Sequence, residues 1–168
     1  MIEIKDKKMC CGCTACYSVC PKECISMVAD DEGFLYPSVD QSRCIGCNLC
    51  IKVCPELNQK REVPFPQKGI IVQSKDLSVL RESTSGGAFT SLAEWIIRHQ
   101  GVVFGAVFNS EFNVVHEGID SMDELNRFRN SKYVQSKMGD TFHKVKSYLL
   151  AGKVVLFSGT PCQVEGLR

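Results

Sequence analysis

The chain has 168 residues, 44% apolar and 23% charged, with a net charge of +1. That is enough to bury one ordinary core and a small appended module, which excludes a disordered tail and a polycation, while the scatter of Lys and Arg among acids excludes an electrostatic footprint for nucleic acid. Met1 to Met9 is charged rather than apolar, and no apolar run reaches the roughly 18 residues of a membrane span. With 11 cysteines and no secretion signal, the expected setting is the cytoplasm, where thiols stay reduced and serve as metal ligands rather than disulfides.

Cys10, Cys13, Cys16 and Cys20 precede Pro21, and Cys44, Cys47, Cys50 and Cys54 precede Pro55; the run C-x2-C-x2-C-x3-C-P occurs twice at a constant offset of 34 residues. Such an offset marks an internal duplication. Three cysteines two residues apart can wrap one face of an iron–sulfur cubane, while the fourth enters a short helix that carries it toward the other cluster. The spacing therefore predicts two [4Fe-4S] clusters with crossed ligands. Cys10, Cys13, Cys16 and Cys54 would hold one, and Cys44, Cys47, Cys50 and Cys20 the other. Gly12 and Gly46 would let the backbone approach inorganic sulfide and offer it N–H groups. Structural zinc would use two C-x2-C pairs across a long spacer instead. Cys11 and Cys24 fall outside the ligand register and read as small packed residues.

Between the runs, Ile25 to Val28 and Phe34 to Pro37 read as short strands around the turn residues Asp30 to Gly33. This organisation predicts a dicluster domain over 1–58, a linker over 59–67 containing Pro64 and Pro66, and a second domain over 68–168. Gly69 to Gln73 reads as a short buried strand. Ser83, Thr84, Ser85, Gly86 and Gly87 precede an apolar-periodic helix carrying Phe89, Leu92, Ala93, Ile96 and Ile97, expected to end at Gly101. Val102 to Phe108 and Asn113 to Glu117 read as strands of a hairpin turning at Asn109 to Phe112. A helix from Met122 to about Arg129 follows, then an amphipathic helix over Thr141 to Ala151 and a buried strand over Lys153 to Phe157.

Two loops of this mixed α/β part could hold an anionic or flavin group. Ser83 to Gly87 opens a helix, where hydroxyls and free N–H groups could meet a phosphate; the same residues also suit a plain helix cap. Ser158 to Cys162 leaves the C-terminal end of a strand, where open α/β sheets bind ligands, although its glycine and proline equally suit a turn. Neither loop has the G-x-G-x-x-G dinucleotide spacing.

The dicluster run, followed by Arg81 to Phe89, Gly101 to Phe108, Ser131 to Ser136 and Leu156 to Gln163, resembles the coenzyme F-420 hydrogenase/dehydrogenase beta-subunit family with a fused N-terminal bacterial 2[4Fe-4S] ferredoxin domain. The resemblance implies an iron–sulfur flavoprotein oxidoreductase that binds FAD. It would relay electrons between its clusters, a redox partner protein or subunit, and a small organic substrate such as a deazaflavin. It also implies a flavin pocket lined by Ser83, Thr84, Ser85, Gly86, Gly87, Lys132, Tyr133, Gly159, Thr160 and Cys162. In it Lys132 would place charge near the flavin, Tyr133 would stack on it, and Cys162 would lie near the ring system or ligate a further cluster. The expected fold is α+β, a small dicluster ferredoxin domain followed by a mixed α/β flavin-binding-type domain. Since the chain stops at Arg168 just after Gln163, that second domain is expected to be truncated. A competing expectation is a ferredoxin-type electron carrier with a non-catalytic docking domain; a structural or regulatory cluster-binding module is a third.

Overall fold

The computed structural model describes residues 1–58, 66 and 68–168, so the expected linker at 59–67 falls almost wholly outside the described residues. In chain order it contains a 3-10 turn at Lys7–Met9, α1 (Ala15–Ser18), β1 (Ile25–Ala29), β2 (Leu35–Val39), α2 (Leu49–Lys52), α3 (Leu77–Arg81), α4 (Ala88–Arg98), β3 (Val102–Phe108), β4 (Val114–Ile119), a 3-10 helix at Met122–Phe128, α5 (Thr141–Leu150), β5 (Val155–Phe157) and α6 (Pro161–Leu167). The chain divides into two compact units. Met1–Glu62 and Gly159–Arg168 form the first, and Val63–Ser158 the second. The last ten residues, expected to continue the second domain, thus belong to the first unit.

The first unit carries the duplication in its backbone. Gly12 and Gly46 have φ of 62° and 68°, and Thr14 and Asn48, again 34 residues apart, have φ of 65° and 60°. Left-handed backbone at Thr14 is costly for a β-branched residue, so the turn geometry outweighs local preference there. After these residues α1 and α2 make the same turn. Val19 N–H donates to Ala15 O and Val53 N–H to Leu49 O, both at 3.0 Å, and Cys20 N–H and Cys54 N–H donate to Tyr17 O and Ile51 O, both at 3.3 Å. Between the turns, β1 and β2 pair antiparallel from Ile25 opposite Val39 to Ala29 opposite Leu35. Asp30 closes their hairpin, its carboxylate accepting from the N–H groups of Glu32 at 3.1 Å and Phe34 at 3.0 Å. The core is built largely of sulfur: Cys16, Cys24 and Cys50 are buried together with Ile2 and Ile25.

The second unit is a three-stranded sheet in the order β4-β3-β5. β3 pairs antiparallel with β4 and parallel with β5. The β3–β4 hairpin turns where Asn109 N–H donates to Asn113 O. Ala93 and Ile96 of α4 pack with Val103, Val107 and Ile119 of the sheet and with Leu125 and Phe128, an all-hydrocarbon core. His116 on β4 is buried. Its Nε2 lies 2.8 Å from Ser158 O and its Nδ1 2.6 Å from Ser136 Oγ. A carbonyl only accepts, so Nε2 carries a proton; burial lowers the His116 pKa and favours the neutral ring, in which Nδ1 accepts from the Ser136 hydroxyl.

Several elements differ from the sequence reading. Residues 69–73 form no strand, and Ile70, Ile71 and Val72 are exposed. The run is apolar enough for a strand but finds no strand beside it; its neighbour is the turn at Gly86, whose carbonyl accepts from Ser74 N–H at 2.7 Å. α3, which periodicity did not suggest, starts at Asp76, whose carboxylate takes the Ser78 N–H at 2.8 Å and thereby caps the helix. The segment Met122–Phe128 is helical but 3-10, with its buried Leu125 and Phe128, three residues apart, on one side. α4 ends at Arg98, before the expected Gly101, and β5 is only three residues long and half-buried.

Candidate functional site

In the first unit the two cysteine runs stand around two cavities. One, about 350 Å³ of empty space, is walled by Cys20, Cys44, Cys47 and Cys50 together with Cys24 and apolar Ile25 and Val39. The other, about 320 Å³, is walled by Cys10, Cys13, Cys16 and Cys54 with Ile2, Ile4 and Met27. Each cavity therefore takes three cysteines from one run and the last cysteine of the other. The α1 and α2 turns produce this exchange, since each carries its final cysteine out of its own loop.

The walls suit a polynuclear group with thiolate ligands. Backbone N–H groups point at the sulfurs: Ile2 N–H donates to Cys50 Sγ at 3.2 Å, and Gly12, Ala15 and Tyr17 donate to Cys10, Cys13 and Cys16. Such bonds stabilise sulfur that carries negative charge and tune cluster potential. Burial pushes the Cys16 thiol up to about 12, so a thiolate there needs a cationic partner. Among the described residues no group of three or more Cys, His, Asp or Glu side chains is placed to hold a single ion. Zinc needs four ligands gathered around one atom, whereas a cubane takes each thiolate on a different corner iron.

The two cysteines outside the register are not idle filler. Cys24 is buried and its sulfur lies 3.4 Å from Cys20 Sγ. Cys11 is half-buried, and its thiol hydrogen-bonds with those of Cys13 and Cys162. Cys162 is at the start of α6, with Thr160 Oγ1 3.1 Å from its sulfur.

In the second unit an open pocket of about 750 Å³ is lined by Ser83, Thr84, Ser85, Gly87 and Phe89 on one side and by Phe128, Arg129, Asn130 and Ser131 on the other. The Thr84 hydroxyl donates to Asn130 Oδ1 at 2.9 Å and ties the two sides together. Gly86 does not line the pocket. A Cβ at Gly86 would stand 2.3 Å from Val72 O, so its role is to let that strand-like segment pass. Arg129 is mostly buried and pairs with Glu82, and its Nε is buried with no hydrogen-bond partner among the described residues.

Other residues of the expected flavin pocket are placed elsewhere. Lys132 turns its ammonium back onto the carbonyls of Arg127 and Arg129, at 3.0 and 2.8 Å, and burial holds its pKa below the usual lysine value. Tyr133 is 94% exposed. Gly159, Thr160 and Cys162 belong to the first unit. Arg129 and Asn130, by contrast, were not singled out in the sequence, where one arginine at the end of a helical segment carries no signal.

Residues 9–57 match the family model of a 4Fe-4S dicluster domain. The N-terminal part of the chain is a small ferredoxin-like dicluster domain, an iron–sulfur electron-carrier module, followed by a mixed α/β region. The match begins one residue before Cys10 and ends three after Cys54, so it spans both cysteine runs. No curated protein matches the chain as a relative. Among the described residues no helix is long and apolar enough to cross a membrane.

Proposed function

We propose that the chain is an iron–sulfur flavoprotein oxidoreductase that relays electrons between two [4Fe-4S] clusters, a redox partner protein and an FAD serving a small organic substrate. The observation that carries the cluster half of this reading is the pair of cavities, each walled by four register cysteines drawn three and one from the two runs, with Cys24 added in one and Cys11 in the other. Cys10, Cys13, Cys16 and Cys54 would hold one cluster, and Cys20, Cys44, Cys47 and Cys50 the other. The surrounding N–H groups and apolar side chains exclude water and set the potential.

For the flavin half, support comes from the second unit's pocket. It brings five hydroxyls, an amide and an arginine with an unmet N–H together beside the first turn of the eleven-residue α4, the surroundings that a phosphate ester takes. A bound flavin would supply the conversion between two-electron and one-electron exchange. Ser83, Thr84 and Ser85 would bind and orient its phosphates, and Arg129 would balance their charge. The resemblance to the coenzyme F-420 hydrogenase/dehydrogenase beta-subunit family extends this to a deazaflavin as the substrate class. The cysteine content suits a reducing cytoplasm.

The positions of Lys132 and Tyr133 favour a second reading. One is turned onto backbone carbonyls and the other stands in solvent, as they would in a ferredoxin-type carrier whose second unit is a docking module. Anaerobic purification with iron, acid-labile sulfide and flavin counted per chain separates the two readings. About eight irons, about eight sulfides and about one FAD is the expected result. Full clusters without flavin would leave the carrier, and stoichiometric zinc in place of iron would overturn both.

A further inference from the structure

Beside the cavity of Cys10, Cys13, Cys16 and Cys54, two thiols that the ligand register does not use stand together. Cys11, next in the chain to Cys10, and Cys162, from the far end of the sequence, hydrogen-bond to each other. The Cys11 thiol also hydrogen-bonds with Cys13, a wall of that cavity. We propose that Cys11 and Cys162 are a redox-active pair that cycles between dithiol and disulfide, drawing electrons from the adjacent cluster and delivering them to a disulfide substrate. The inference rests on the dicluster reading and not on the flavin.

Three features of the site suit that role. Both cysteines are half-buried, so they are reachable without being part of the core. The loop that carries Cys162 is held in place: Thr160 N–H donates to Gln163 Oε1 at 2.9 Å, Val164 N–H donates to Thr160 O at 3.0 Å, and Gln163 is 1% exposed. The Thr160 hydroxyl stands 3.1 Å from Cys162 Sγ, where it can donate to a thiolate. Finally, the Cys11–Cys13 contact connects the pair to a ligand sulfur directly, the shortest route for an electron.

The electron count closes. Cys162 as thiolate attacks one sulfur of the substrate disulfide and releases the other as a thiol, leaving a mixed disulfide. Cys11 then attacks Cys162 Sγ, the second substrate thiol leaves, and the S–S bond now joins Cys11 to Cys162. Two electrons, one from each reduced cluster, and two protons from water break that bond and restore both thiols. A low-potential redox protein refills the clusters. Two one-electron centres thus match one two-electron bond.

The test uses the full chain, loaded with clusters under argon, treated with excess oxidised glutathione, alkylated with iodoacetamide and mapped by mass spectrometry, with iron counted in parallel. The expected product is a Cys11–Cys162 disulfide, two hydrogens lighter than the dithiol, with iron still at about eight per chain. Reductive titration of that product should take up about four electron equivalents without releasing glutathione, whereas Cys11→Ser treated in the same way should stop at a mixed disulfide of Cys162 with glutathione and show no cross-link. Glutathione or alkyl adducts on both residues without the cross-link, or an uptake of only about two electron equivalents by the treated wild type, would overturn the pair. So would a fall in iron on Cys162→Ser, which would make Cys162 a ligand. Low iron in the untreated wild type would instead bring down the dicluster reading beneath it.

Discussion

The two units of this chain solve the problem of a small core in opposite ways. In the second, Ala93, Ile96, Val103, Val107, Ile119, Leu125 and Phe128 close a core of hydrocarbon that needs nothing added. In the first, three of five fully buried core residues are cysteines whose sulfurs face cavities. A unit of this size without much hydrocarbon depends on cross-links or metal for its stability. The lesson is that the same chain carries one part whose fold is its own and another whose fold is completed by what it holds.

The two parts can be followed separately, since visible absorbance reports the clusters and the single Trp95, which lies on α4 stacked on His99, reports the second unit. The largest expected effect is on the first. Cys50→Ser removes a cavity wall and the sulfur that accepts from Ile2 N–H; iron should fall from about eight to about four per chain or below, while the thermal transition seen by Trp95 fluorescence stays where it was. A matching fall in that transition would mean the units are not independent. Next in size is Phe104→Ala. Phe104, 1% exposed, fills the sheet's central strand, and its loss should destabilise the second unit by about 3–5 kcal/mol with iron unchanged.

The smallest effect is a pH dependence confined to the second unit. Burial holds the His116 pKa below its usual value of 6.5. The unfolded chain therefore binds the proton more readily, and the stability from the neutral imidazole is present above about 6.5 and lost as pH falls below it. The protection of the β3 amides against hydrogen exchange, taken relative to the intrinsic base-catalysed rate, should fall between about pH 7 and about pH 5.5, and His116→Gln should flatten that change. An unaltered profile in the variant would assign the acid sensitivity to another group.

What the sequence discloses follows the range of the interactions involved. The cysteine runs are legible because ligand spacing is a local property, and α4, β3 and β4 because apolar periodicity and the Asn109 turn are local too. Residues 69–73 mislead for the converse reason: burial of an apolar run depends on a neighbouring strand, which no local pattern can supply. The same holds for the last ten residues, whose grouping with the first unit rests on contacts more than a hundred positions away in sequence. The pocket was half legible. Its Ser83 to Gly87 side is a motif, whereas Arg129 and Asn130 enter it only through folding.

The exchange of the fourth cysteine between the two runs bears on how the protein is made. A nascent chain that has left the ribosome only as far as Val53 has seven of the eight wall cysteines and the complete set for just one cavity, the one formed last in sequence order by Cys44, Cys47 and Cys50 with Cys20. The first three cysteines to emerge wait longest, since their cavity is closed only by Cys54. Maturation should therefore proceed against the direction of synthesis, and a delivery system that inserts metal must meet a chain that has already reached Cys50 in its second run.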